Sequence, residues 1–232
     1  MYKQIDFKLN DKVKGYKDTS DQIEINYERL EKEKYFSNIE MFFYPGNIDN
    51  ILQNTHIMDN IIFPKVEGRL FKKCDFTDLM RFSPYMNGFK YIVSEQFVKV
   101  LKENKINDYV IKEIKLKGAK KKYFLFFVPK VLFNEINFKK SLIYRGNSFG
   151  GKPIEYLKIK NYQDFLNLQE KFTFLTFEKI CLRNKHKNKD IIWVQGSVYL
   201  FFKINLIEKI INEKITNFNL VEEKSQQKLI FD

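Results

Sequence analysis

The sequence predicts an α+β protein with a mixed, mostly antiparallel sheet and short peripheral helices. Three observations lead there. The strongest apolar run, "YFLFFV" at 123–128, is six residues long and is the pattern of a strand buried on both faces. The helix signals are short, each carrying a capping residue. The 24 Phe and 13 Tyr supply large apolar payloads within 232 residues, enough to bury a core and too many for a disordered chain.

Taken in order, "DQIEINYERLEKEKYF" reads as a strand followed by a charged turn or short helix. "IEMFFYPGN" reads as a strand stopped by Pro45-Gly46. "NIDNILQNTHIMDN" places Ile48, Ile51, Leu52 and Ile57 at helical spacing, with Asn47 as cap. "FTDLMRF" reads as a short helix capped by Thr77 or Asp75. Tyr91–Val93 form a brief strand, and Ser94 caps a helix whose first turn holds Glu95, where the helix dipole favours an anion. Val93 and Val98 have the spacing of a hydrophobic staple. "DYVIKEIKLK" is a strand, and "GAKK" with Gly118 makes a hairpin into "YFLFFV", which Pro129 stops. "EINFKKSLIY" is a further short strand or turn.

"RGNSFGGKP" is the richest glycine stretch and marks a boundary between an N-terminal lobe, 1–149, and a C-terminal lobe, 150–232, unless the two form one continuous domain. Beyond it come a strand in "IEYLKIK", a helix capped by Asn161 in "NYQDFLNLQEKF", and strands in "FEKICLRN" and "DIIWVQG" around "NKHKNK". The segment 209–220, "KIINEKITNFNL", echoes 100–111, "VLKENKINDYVI". Ile106 matches Ile215, Tyr109 matches Phe218, and Ile111 matches Leu220. Asn205 and Glu208 have capping-box spacing. Each copy is a short helix, a polar turn with one buried Ile, and a strand, one copy to each lobe.

The formal charge is +12, yet only five of 41 basic residues are arginine. Readers of nucleic acid lean on the arginine fork, so the charge predicts general attraction to anions more than base recognition. Cys74 and Cys181 have no partner at metal spacing and read as buried thiols. The N-terminus has no signal-peptide core and no run is long enough to span a bilayer, so a soluble, cytoplasmic protein is expected. His56 and His186 lie outside any catalytic pattern, and the lysines around His186 should depress its basicity. "GNSFGGKP" lacks the Ser or Thr of a phosphate loop, and Pro153 follows. The pairs Glu31/Glu33 and Glu222/Glu223 lie in charge-mixed segments and read as solvated faces. No catalytic residue, cofactor or metal ligand is assigned. The candidate partner-binding residues are two basic clusters at exposed turns: Lys117, Lys120, Lys121 and Lys122 (with Lys115 beside them), and Arg183, Lys185, Lys187 and Lys189. Such turns also serve to blunt sheet edges.

The segments "IVSEQFVKVLKEN", "DYVIKEIKL", "KKYFLFFV", "EINFKKSLIY" and "LIEKIINEKITNFNLVEE" together resemble a group of bacterial immunity proteins from polymorphic toxin systems. That group has an apolar-SE-apolar helix, a strand, a Tyr-containing strand, an IDF-x-KS-like segment, and a C-terminal helix followed by a GITGF-like turn. The resemblance covers about 75–145 and 190–232. Asn137 stands where Asp is usual and Asn217 where Gly is usual. It implies a non-enzymatic protein that binds a cognate toxin domain stoichiometrically and occludes its active site. The charge adds that the toxin's contact face is acidic. The alternative is a nucleic-acid-binding protein using the Lys-rich loops. An enzyme with a site assembled from scattered residues is the third reading.

Overall fold

A computed structural model of the chain describes residues 1–6, 21–44, 46, 48–147, 152–172 and 174–232. The strands are β1 (Tyr2–Asp6), β2 (Ile23–Ile25), β3 (Val66–Leu70), β4 (Leu79–Met80), β5 (Phe82–Ser83), β6 (Phe89–Ser94), β7 (Val110–Lys117), β8 (Tyr123–Phe127), β9 (Lys130–Val131), β10 (Leu142–Asn147), β11 (Lys152–Leu157), β12 (Thr176–Leu182), β13 (Ile191–Val194), β14 (Phe201–Lys203), β15 (Asn219–Leu220) and β16 (Lys228–Phe231). The helices are α1 (Tyr27–Leu30), α2 (Asp49–Leu52), α3 (Thr55–Asn60), α4 (Glu95–Glu103), α5 (Tyr162–Lys171) and α6 (Ile204–Asn212). The fold is α+β, as the sequence predicts.

The chain divides into two compact units. One comprises Met1–Ile5, Val131–Ile204 and Leu220–Asp232; the other comprises Asp6–Lys130 and Asn205–Asn219. The glycine-rich stretch does not separate them. Its residues 148–151 lie outside the described residues, and its flanks enter β10 and β11, an antiparallel pair within one unit. The helix α4 and residues 205–212 of α6 belong to one of these units.

In the unit built around residues 6–130, seven strands run in the order β4-β6-β8-β7-β3-β2-β5. The end strands β4 and β5 are separated in sequence by Arg81 alone. The sheet therefore curls until it nearly closes into a barrel, and the Arg81 carbonyl accepts from the amides of Gln22 and Ile23, each at 3.0 Å. Inward residues fill it: Ile23, Ile25, Val66, Ile92, Val110, Ile114, Leu116, Leu125 and Phe127 are buried in one cluster. The barrel explains two departures from sequence expectation. "FTDLMRF" carries β4 and β5 and not a helix, because Leu79, Met80 and Phe82 are all buried as the chain passes from one sheet end to the other. "IEMFFYPGN" forms no strand; 3-10 turns at Phe36–Asn38 and Glu40–Phe42 bury Ile39 and Phe42, three residues apart, against that cluster. Pro45 and Asn47 lie outside the described residues. The helix expected at 47–60 is two helices, broken at Asn54, whose Oδ1 accepts from the amides of His56 and Ile57 and so starts α3.

The local signals of 91–128 fold as their residues dictate. Ser94 Oγ accepts from the Phe97 amide at 3.2 Å, a cap contributing ~1 kcal/mol. Val93 and Val98 are both buried, as a staple requires. α4 buries Phe97, whose ring meets Phe126 edge-on at 5.7 Å. β7 and β8 form the antiparallel hairpin, with Gly118 at φ 84° in its turn.

The echo between α4 and α6 is strongest at their C-termini. Lys105 and Lys214 are left-handed, at φ 56° and 54°. The Ile106 amide reaches back to Leu101 O at 3.0 Å, and the Ile215 amide to Ile210 O at 3.3 Å. Both are Schellman endings with lysine where glycine is usual, and both bury the following isoleucine. The strands that follow differ: β7 has eight residues and β15 two. The capping box at Asn205 does not form, because α6 begins at Ile204 and Asn205 lies inside its first turn. A left-handed lysine costs ~1 kcal/mol that glycine avoids. Lys105→Gly is therefore expected to stabilise the protein by about 0.5–1 kcal/mol in urea unfolding. A neutral or destabilising result would show that the Lys105 side chain contributes a compensating contact.

The other unit holds two sheets. One runs β15-β1-β14-β13-β9; the other runs β11-β10-β12-β16, with β12 and β16 parallel. Gln4 of β1 is fully buried. Its Nε2 donates to Ser197 Oγ at 3.0 Å and Gln227 Oε1 at 2.9 Å, while its Oε1 accepts from the Gln227 amide at 2.7 Å. α5, capped by Asn161 Oδ1 on the Asp164 amide, inserts Phe165 among Phe133, Phe138 and Phe177. Cys74 and Cys181 are both buried, one in each unit.

Candidate functional site

A cleft of about 950 Å³ lies on the barrel unit. Its floor follows from the alternation of β2, β3 and β7. Ile23, Ile25, Val66, Ile114 and Leu116 point inward, so Glu24, Glu67, Arg69, Lys115 and Lys117 point outward. Strand register then sets a row. Glu24 lies opposite Arg69, and Arg69 lies opposite Lys117. Gly68 keeps the strands close; a Cβ there would lie 3.0 Å from Glu24 O and Ile23 Cγ2. Arg69 Nε meets Glu24 Oε2 at 2.6 Å.

The wall comes from the chain after β2. The Asn26 amide donates to Glu67 O at 3.0 Å, and Asn26 Oδ1 caps α1 by accepting from Arg29 N at 3.1 Å. This holds Tyr27 and Arg29 over the sheet. Arg29 Nη1 meets Glu67 Oε2 at 2.6 Å, and Lys65 Nζ meets Glu67 Oε1 at 2.9 Å. The Lys65 hydrogen bond, with the charges of Arg29 and Lys115, holds the Glu67 carboxyl below its usual range. The Tyr27 ring packs edge-on against Phe43 at 5.0 Å, and its hydroxyl meets that of Tyr44 at 3.1 Å. That hydroxyl pairing, with burial and nearby carboxylates, pushes Tyr27 up to about 12. Tyr44 is half exposed.

The described lining carries three carboxylates (Glu24, Glu28, Glu67) and three cations (Arg29, Arg69, Lys117). The cleft is thus formally neutral in a chain of charge +12. Its shifted carboxyl, Glu67, is held ionised. That suits ion pairing and not the donation of a proton, for which a carboxyl is raised. No group of three or more His, Cys, Asp or Glu that would hold a metal occurs among the described residues. No helix among them is long and apolar enough to cross a membrane.

Of the residues singled out in sequence, Lys117 ends β7 and lines the cleft. Lys120, Lys121 and Lys122 occupy the exposed hairpin turn that follows. Lys121 Nζ lies 3.8 Å from Asp78 Oδ1 and 3.4 Å from Gln96 Oε1. Lys117, Lys120 and Lys122 have no ion-pair partner among the described residues.

Arg183, Lys185, Lys187 and Lys189 belong to the other unit, around a 3-10 turn at Asn184–His186. Their centre is acidic. Glu135 Oε2 meets Lys185 Nζ at 2.8 Å, His186 Nε2 at 3.4 Å and Arg183 Nε at 4.0 Å. The carbonyls of Lys187 and Lys189 accept from the Tyr2 hydroxyl at 2.8 and 2.5 Å. The side chains of Arg183 and Lys185 are therefore engaged inside their own unit, and the Lys187 and Lys189 backbones with them.

His186 is buried, and its pKa is lowered by burial first and by Lys189 and Lys185 besides, against the opposing pull of Glu135. Its depressed basicity matches the sequence expectation, though burial outweighs the lysines. The unfolded chain binds that proton more readily, so its contribution is complete above the unfolded value of about 6.5 and is lost as pH falls below it. Burial raises the Glu135 carboxyl, but Lys185, His186 and Arg183 lower it on balance. Its contribution is lost only below about 4.5, so between pH 7 and 5.5 the loss within this cluster comes from His186 and not from Glu135. His186→Asn is expected to flatten the fall in urea midpoint across that interval; an unchanged slope would assign it elsewhere.

A second groove of about 490 Å³ lies on the unit of β10–β12. Tyr144 and Tyr156 meet edge-on at 5.9 Å there, and Ile154 and Val198 are exposed. The sequence reading missed Tyr27, Arg29, Tyr44 and Arg69 of the first cleft altogether. The signal that marks two of them is arginine itself in a chain that otherwise uses lysine. Comparison with protein-family models and with curated proteins finds no match to this chain.

Proposed function

We propose that this chain is a protein-binding inhibitor of the immunity class, which seats on a toxin domain and covers its working surface. The observation that carries this reading is the cleft of the barrel unit. Its walls include Tyr27 and Phe43, both half-buried, and the exposed Tyr44, Arg29 and Arg69, residue types on which interface energy concentrates. Its charge is balanced, and it is less apolar than a pocket built to engulf a small molecule. Stoichiometric occlusion needs complementary surface, on the order of 1,600 Å² in total, and no chemistry. The sequence resemblance to immunity proteins points the same way.

The test is co-expression with any toxin domain encoded by a neighbouring gene, followed by calorimetry of the purified pair. A 1:1 complex is expected, weakened about tenfold or more by Tyr44→Ala. Failure of any neighbouring toxin domain to bind would overturn the reading. The nucleic-acid alternative draws support from the three lysines without ion-pair partners at 117–122. It predicts binding that weakens steeply with salt, and no binding at low salt removes it.

A further inference from the structure

We infer that the partner enters the cleft as an extended acidic segment whose carboxylates lie along Lys117, Lys120 and Lys122, while an apolar side chain beside them packs against Tyr44. This inference rests on the protein-binding reading and names the chemistry that the cleft takes.

The asymmetry of the cleft is the reason. Along the row Glu24–Arg69–Lys117, the Arg69 fork is occupied by Glu24. Along the neighbouring set, Glu67 is shared by Arg29 and Lys65. Glu24 with Arg69 and Glu67 with Arg29 cancel in pairs, which leaves Lys117 on β7 and Glu28 on α1. Lys117 sits across from Arg69 on the neighbouring strand, whose guanidinium is already met by Glu24, so no carboxylate of that row is left for Lys117. The chain continues into the exposed turn, where Lys120 and Lys122 also have no ion-pair partner among the described residues. Positive charge thus continues from the cleft lining into the turn after β7, while Tyr44 gives the lining a half-exposed aromatic face. A ligand matching both has carboxylates and an apolar group. An acidic peptide does so. An uninterrupted phosphate backbone would carry its charge on to Glu28 of the lining, unpaired among the described residues, whereas a peptide need not.

The probe is a random copolymer of glutamate and tyrosine, titrated into the isotope-labelled full chain and followed by amide chemical shifts. The amides of Gly68, Arg69, Lys117, Gly118 and Lys120 are expected to move together. The triple variant Lys117→Glu/Lys120→Glu/Lys122→Glu is expected to bind at least tenfold more weakly; its three sites are exposed, so it should keep the parent spectrum elsewhere. Tyr44→Ala is expected to weaken binding separately. A lysine–tyrosine copolymer should leave these amides unmoved. Shifts confined to other residues, equal affinity of the triple variant, or tighter binding of an oligothymidylate at the same amides would each overturn the inference. If the triple variant still forms the 1:1 toxin complex with unchanged affinity, the acidic-segment assignment falls while the protein-binding reading stands.

Discussion

Asp78→Ala is expected to destabilise the barrel unit by about 3–4 kcal/mol. Asp78 is 4% exposed, and its carboxylate accepts from Ser94 Oγ at 2.6 Å, from the Thr216 amide at 2.8 Å and from Thr216 Oγ1 at 2.7 Å. The Thr216 hydroxyl is also 2.9 Å from the Asp78 amide. One carboxylate thus ties the cap of α4 at Ser94 to the turn after α6 at Thr216, which lies 138 residues from Asp78 itself. Hydrogen bonds to a charged acceptor are worth ~1.5–3 kcal/mol each, and their loss leaves buried donors unmet. The neighbouring Asn217, left-handed at φ 60°, extends the network by donating to Gln22 Oε1 and Leu79 O at 2.9 and 2.7 Å. Thr216→Val should cost less, about 1–2 kcal/mol, and a double-mutant cycle should show the two losses to be strongly non-additive. Urea unfolding measures all three; a loss below about 1 kcal/mol for Asp78→Ala would show that the turn is held by packing alone.

Phe165→Ala is expected to cost about 3–5 kcal/mol in the other unit. Phe165 is 1% exposed, with ring centroids 4.7 Å from Phe133, 5.0 Å from Phe138 and 5.6 Å from Phe177. It is also the one fully buried side chain of α5, so truncation removes both the cavity filling and the anchor of that helix. Phe165→Leu retains most of the volume and should cost under about 1.5 kcal/mol. Hydrogen exchange would localise the effect, with amides of α5 and β12 losing protection while those of β6–β8 keep theirs. Uniform loss of protection in both regions would contradict the assignment.

The sequence was most legible where structure is set within a dozen residues. The cap at Ser94, the staple, the hairpin at Gly118 and the helix after Asn161 all depend on neighbours in the chain. It was least legible where distant pairing decides. Residues 76–82 take their conformation from sheet ends that only the closed barrel brings together, and residues 36–42 from the core that they cover. The cleft was hidden for the same reason, since Glu24–Arg69 and Arg29–Glu67 join residues some forty apart. One signal was nevertheless present. Each of the five arginines contacts a carboxylate: Arg29 with Glu67, Arg69 with Glu24, Arg81 with Asp6, Arg145 with Glu155 and Arg183 with Glu135. Where the chain spends an arginine, it places it on a carboxylate, and in three of these cases it sets the guanidinium within 2.6 Å.

The interleaving of the two units governs how the protein emerges during synthesis. The strand β1 leaves the ribosome first, yet its partner β14 follows about two hundred residues later, and β16 later still. The barrel can form its sheet once β8 has appeared, but it lacks Thr216 for Asp78 until Thr216 itself has been made, far later in the chain. Translation pauses before residue 204 would leave an assembled barrel beside a waiting, aromatic-rich intermediate. Fragments cut at a single position would inherit the same defect, because no one cleavage point separates the two units.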